Sequence, residues 1–176
     1  IADGDRIAIG AASVTEAVEL AMWNMLGCSP VTVAAWESFG NFWIQDAVKQ
    51  LKPANLTVLE ADYGEIPDLT TFDKGDDIVF TWNGTTSGAR IPDTDWIAAD
   101  REGVTIHDAT SAVFAQPMDW SKLDATTFSW QQGMGPEAAH GLLTRSPRAV
   151  PRITRYPPSW PPPKTSGGRQ GDKPAH

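Results

Sequence analysis

Apolar and polar residues along this chain follow two different periods. Five runs are rich in β-branched or aromatic residues: VTVAAWE (31–37), LTVLEAD (56–62), DIVFTW (77–82), VTIHDAT (104–110) and TTFSW (126–130). Most are apolar on both faces, which suits strands covered on both sides, as in a parallel sheet. Helical spacing lies between some of them. In SVTEAVELAMWNMLG (13–27), Val18, Ala21, Met22, Met25 and Leu26 fall on one face and Gly27 supplies a stop. NFWIQDAVKQL (41–51) repeats the pattern and ends before Pro53. Strands alternating with helices predict an α/β fold, a mostly parallel sheet flanked by helices.

The pattern stops near residue 147. Beyond it the chain is rich in proline and glycine, with YPPSWPPPK at 156–164. Such a composition cannot build a core. The expected organisation is therefore one domain over 1–146 and an extended or disordered tail over 147–176. Charge divides at the same place. Residues 1–144 hold 7 basic and 21 acidic side chains, whereas 145–176 hold 7 basic and 1 acidic. A net charge of −8 argues against nonspecific nucleic-acid binding. No apolar run is long enough to span a bilayer. One cysteine, Cys28, cannot form an internal disulfide, so a reducing, cytoplasmic setting is expected.

Candidate chemistry gathers at junctions between elements. GAASVTEAVELA carries small residues straight into a helix, with Ser13 and Thr15 at its mouth. The unpaired N–H groups there suit a phosphate. Ser13 suits a plain N-cap equally well, with Glu16 completing a capping box. Asp108 ends an apolar strand, where a carboxylate is costly to bury unless it meets a cation or a donor. His107 precedes it and should face the other way. TWNGTTSGAR (81–90) and AWESFGNFW (35–43) are two further strand exits. The hydroxyls of the first serve a ligand or close the loop, and the aromatics of the second stack on a planar ligand or join the core. His107, His140 and His176 lack metal-ligand spacing, so no metal is expected.

Taken in order, ASVTEAVELAMWNMLG, AWESFG, VKQLK, EADYGEIPDL, VFTWNGTTSGARIP, DATSAVFAQ, TFSWQ, EAAHG and SPRAV resemble the phosphoserine aminotransferases, a class V family that uses pyridoxal 5′-phosphate. The likeness is collinear from about Arg6 to Val150. It implies the large domain of a fold-type I transferase. It also implies transamination between glutamate and 3-phosphohydroxypyruvate in serine biosynthesis, by a homodimer. By the same resemblance Ser13, Val14 and Thr15 hold the cofactor phosphate together with Gln131. Phe42 stacks on the pyridine ring, with Trp43 one residue away as the alternative. Thr85 contacts the hydroxyl side of the ring, and Asp108 pairs with its nitrogen.

One departure bears on the chemistry. The family has a lysine after Ser-Trp-Gln, and that lysine forms the Schiff base with the cofactor. Here the residue is Gln132. An amide nitrogen is neither nucleophilic nor basic near pH 7. By the same resemblance, the stretch given is expected to correspond to the large domain without the family's N-terminal segment and small C-terminal domain. Two expectations follow: an incomplete transaminase large domain, or a catalytically inactive relative that holds the cofactor noncovalently or not at all.

Overall fold

A computed structural model of the chain describes residues 1–10, 13–135, 137 and 140–155, with only the backbone described at 154 and 155. Seven strands form one sheet: β1 (Arg6–Ile9), β2 (Val31–Ala35), β3 (Leu56–Glu60), β4 (Asp77–Thr81), β5 (Thr105–Asp108), β6 (Ala125–Ser129) and β7 (Gly141–Arg145). Their order across the sheet is β1-β7-β6-β5-β4-β2-β3. Strands β3, β2, β4, β5 and β6 are parallel to their neighbours within that group. Strand β7 is antiparallel to both β6 and β1. The parallel set is the one expected from its two-sided apolar runs. Each strand ends short of the predicted limit because the chain bends into a loop at the tip. The pair β1 and β7 was not anticipated: RIAI and GLLTR are too short to carry a period, and their mutual pairing defines them.

Three α-helices accompany the sheet: α1 (Val14–Met25), α2 (Ser38–Gln45) and α3 (Val150–Arg155). Helix α1 buries Val18, Ala21, Met22 and Met25, the face its spacing predicted. Helix α2 starts three residues before the expected 41, because the Glu37 carboxylate accepts the Gly40 N–H at 2.6 Å and caps it. It then passes into a π-helical turn, Asp46–Leu51, closed by Lys52 at φ 48° before Pro53.

The helices cover one face of the sheet. There Met22, Met25, Trp43 and Ile44 pack on Val33, Val79, Ile106 and Leu143. The other face carries Trp36, Phe80, Trp82, Ile91, Ile97 and Phe128, and loops rather than α-helices close over it. His107 lies in this second layer, fully buried and stacked on Phe80 at 5.1 Å. The strand alternation thus turns it away from Asp108's face, as expected. Burial drives its imidazole down to about 3, so the ring is neutral at any working pH.

Residues 147–155 do not behave as tail. Arg148 donates to the backbone carbonyls of Arg101 and Gly103. Arg152, on α3, grips Asp77 with two hydrogen bonds of 3.0 and 3.1 Å and also touches Cys28 and Ser29. The rest of the expected tail, 156–176, lies outside the described residues.

Asp77 is fully buried, and burial pushes its carboxyl up to about 6 despite the Arg152 guanidinium. A raised acid favours the folded state while protonated, so its contribution to stability falls as pH rises from about 4 to about 6. Arg152→Met removes the compensating cation. It should deepen that fall and lower stability at pH 7 by about 3–5 kcal/mol, read from urea unfolding at several pH values. A variant whose stability tracks the parent across this window would show the pair to be energetically neutral.

Candidate functional site

The sheet has one end where β1, β2, β4, β5 and β6 exit and β7 enters. The chain passes from β2 to β3 on one side, then returns to add β4 on the other. The gap between the β2 and β4 tips is therefore a topological switch point, where open α/β sheets bind ligands. Every candidate residue but Phe42 sits on or beside these tips, and Phe42 lies on the first turns of α2.

Asp108 closes β5. Its Oδ1 accepts both the N–H and the hydroxyl of Thr110, at 3.0 and 2.7 Å, in a turn that ends the strand. It is 7% exposed, and no basic side chain pairs with it among the described residues. Its carboxyl is raised by burial, lowered in part by the Thr110 bonds, and raised again by the charge of Glu37. A cation brought to it would relieve that cost.

Around this acid the loops are tied together. Trp82 N–H donates to the Asp108 carbonyl, and Thr85 shares a 2.6 Å hydrogen bond with Ser111. Thr85 is exposed, so its hydroxyl faces the open end. Across the sheet, Ser13 stands at the N-cap of α1 in an extended conformation and its side chain makes no cap bond. Ser13 thus occupies the N-cap position without the side-chain bond that a capping box requires of it. Val14 turns its side chain into the core, so it can offer only its backbone N–H. Thr15 is half-buried beside it. The mouth of α1 rests on Gly141, where any side chain would collide with the Ser13 carbonyl.

The two aromatic alternatives separate cleanly. Trp43 is 3% exposed and belongs to the core, whereas Phe42 is 58% exposed. Phe39, one turn earlier, is also exposed and meets Phe42 edge-on at 6.2 Å. Phe39 lies nearer the strand tips and was missed, along with the capping acid Glu37. The signal was present in AWESFG as an acid three residues before a glycine.

Gln131 is half-buried and accepts the Ser129 hydroxyl at 3.0 Å, and Gln132 is exposed in the β6–β7 connection. Among the described residues no lysine stands at this end. Lys122 precedes β6 at the far end and donates to the Thr94 carbonyl. Lys74 precedes β4, and Lys49 and Lys52 sit where the chain returns towards the start of β3. Nor does any group of acidic, histidine or cysteine side chains among the described residues make a metal cluster. No described helix is long and apolar enough to cross a membrane.

Comparison with known proteins identifies the lineage. No family model matches the chain. It is 50% identical over 175 residues to a phosphoserine aminotransferase of Methanosarcina barkeri, across 97% of this chain. It is 52% identical over 167 residues to that of Methanosarcina mazei, across 93% of this chain. Over nearly its whole length the chain is a homologue of phosphoserine aminotransferases. It spans 47% and 45% of the lengths of these two relatives.

Solved structures agree on the fold. A phosphoserine aminotransferase from Cytophaga hutchinsonii superposes with a TM-score of 0.77 at 22% identity, over 88% of this chain and 44% of that one. An alanine–glyoxylate aminotransferase from Nostoc sp. gives 0.74 at 18% identity, over 85% and 42%. A pyridoxal-phosphate-bound phosphoserine aminotransferase from Trichomonas vaginalis gives 0.64 at 13%, over 88% and 47%. The sheet with its flanking helices is the fold-type I arrangement that the sequence predicts.

Proposed function

We propose that this chain is the cofactor-holding part of a phosphoserine transaminase, the enzyme that exchanges an amino group between glutamate and 3-phosphohydroxypyruvate. Its cofactor is pyridoxal 5′-phosphate. The observation that carries the reading is Asp108, a buried acid at the tip of β5 that no basic side chain pairs with among the described residues. A protonated pyridine nitrogen is the partner that such an acid lacks.

The donor set fits a phosphorylated pyridine. The backbone N–H groups at Ser13, Val14 and Thr15, at the mouth of α1, would hold the phosphate with the Gln131 amide. Thr85 would meet the ring's hydroxyl side, and Phe42 offers an exposed face for stacking. When bound, the cofactor supplies an electron sink, and a carboxylate at its nitrogen keeps the ring electron-poor. The set does not fit covalent attachment, because Gln132 stands where an amine is needed. Such a chain holds the cofactor noncovalently, the second reading that Gln132 specifically favours. Homodimer formation, cytoplasmic location and use of phosphorylated substrates complete the proposal, and they rest on the family likeness.

Pyridoxamine 5′-phosphate tests the site without demanding a lysine. Titration followed by calorimetry should show one site, and Asp108→Asn should weaken it by about tenfold or more, the equivalent of one pK unit of charge preference. Inorganic phosphate should compete. Equal affinity in the parent and the Asp108→Asn variant would remove the acid from the site and overturn the reading.

A further inference from the structure

One buried acid has no part in the site as described so far. Glu37 follows β2 on the near side of the switch point and is 2% exposed. Its Oε1 accepts the Gly40 N–H at 2.6 Å, and its Oε2 is buried with no hydrogen-bond partner among the described residues. Two glycines let the backbone close around it. A Cβ at Gly84 would come within 2.7 Å of the Glu37 Cγ, and one at Gly40 would press on Ala35 and the Thr81 hydroxyl. That hydroxyl is also buried without a partner, and Thr81 is the register partner of Asp108.

A helix cap alone does not explain this arrangement. Serine, threonine or asparagine caps a helix without burying a charge. Here a carboxyl group is kept out of water on the β2 side of β4, with Asp108 on the other side of that strand, and no basic side chain pairs with either among the described residues. Two acids buried at the same end of a sheet are costly to ionise together, unless a ligand supplies positive charge.

We propose that Glu37 is a positioning residue of the cofactor site. Its carboxylate fixes the first turn of α2, and with it Phe39 and Phe42, against the strand tips. Its charge stands behind Asp108 and favours the protonated over the neutral form of a bound pyridine nitrogen. The inference rests on the pyridoxal phosphate reading and adds the residue that tunes it. Glu37 touches neither ring nor substrate directly, since it acts through Asp108 and α2. The upward push of Glu37 on the Asp108 carboxyl agrees with this placement.

Pyridoxamine 5′-phosphate labelled with ¹⁵N in the ring separates the two contributions. The variant Glu37→Gln keeps an oxygen to cap Gly40 and loses the charge, while Glu37→Asp keeps the charge and shortens the reach. With the parent chain, the bound ring nitrogen should remain protonated to higher pH than in free solution. With Glu37→Gln, its pKa should drop by about one unit and the affinity by about tenfold. Affinity for inorganic phosphate should not change. Glu37→Asp should bind less tightly yet keep the ring nitrogen protonated. A Glu37→Gln chain with parental ring protonation would overturn the inference, while Asp108→Asn still weakening the ligand would leave the cofactor reading intact. If Glu37→Gln does not fold, Glu37→Asp decides, and loss of ring protonation there overturns the charge role. A parent chain that binds no pyridoxamine phosphate overturns both.

Discussion

Replacing Gln132 with lysine is expected to give a chain that carries roughly one equivalent of pyridoxal phosphate covalently after borohydride reduction, where the parent carries none at that position. Position 132 leaves β6 at the sheet end that holds Asp108, and it is exposed. An amine there is the one change that adds a nucleophile to the proposed site. The lysines already described belong to the other end of the sheet, so they supply no substitute. Peptide mapping of the reduced protein by mass spectrometry reads the result. Label confined to Lys122 or another native lysine, with none at 132, would mean that this connection does not reach the cofactor. The same variant assayed with phosphoserine and 2-oxoglutarate, in a chain extended to the relatives' full length, separates attachment from turnover.

The second large effect concerns stability. Asp124→Ala is expected to cost about 3–5 kcal/mol, read as a lower urea midpoint with an unchanged slope. Asp124 starts the turn into β6 and is buried with its partner Arg101. Its carboxylate accepts from Arg101 at 2.8 and 3.2 Å, from the Thr105 N–H at 3.1 Å and from Ser146 at 2.8 Å, and Arg148 approaches at 3.3 Å. One acid thereby joins the starts of β5 and β6 to the end of β7. Its loss leaves the Arg101 guanidinium charged and 6% exposed with no counter-ion. Asp124→Asn keeps several of the acceptor contacts and should cost clearly less. Equal losses in the two variants would show that the hydrogen bonds, not the charge, hold this corner.

These two experiments probe opposite ends of one sheet. The end with Asp77, Asp124, Arg101, Arg148 and Arg152 pairs its buried charges internally. At the other end no basic side chain pairs with Asp108 or Glu37 among the described residues. Paired charges can be a matter of structure alone. Unpaired ones incur a folding cost that a bound cation would relieve, and this is the ground on which the proposed site is placed at the β5 tip. The cavity of about 330 Å³ beside Cys28 and Arg152 lies at the paired end, where both arginines are already engaged.

Much of the site was legible in the residues because each piece is local. A helix mouth lined with small residues, an acid ending an apolar strand and a hydroxyl-rich exit loop are readable within ten residues. Three decisions were not. The Phe42 or Trp43 alternative depended on which side chain the helix turns into the core, and Trp43 takes it. Glu37 became visible only once the Gly40 N–H bonded its carboxylate and Gly84 closed on its side chain from the β4 exit loop. The order of α3 depended on Asp77, seventy-five residues earlier, reaching Arg152.

By itself the sequence determined the alternation of buried strands with amphipathic helices, and so a parallel sheet with chemistry at its tips. It also determined that position 132 carries an amide, which no fold can turn into a nucleophile. The tertiary structure decided which tips come together. Strand order and the antiparallel return of β7 arise from pairing between segments far apart in the chain, and a period read along one segment contains nothing about its neighbour. That pairing brings Asp108 and Glu37 to the same end of the sheet, on either side of β4.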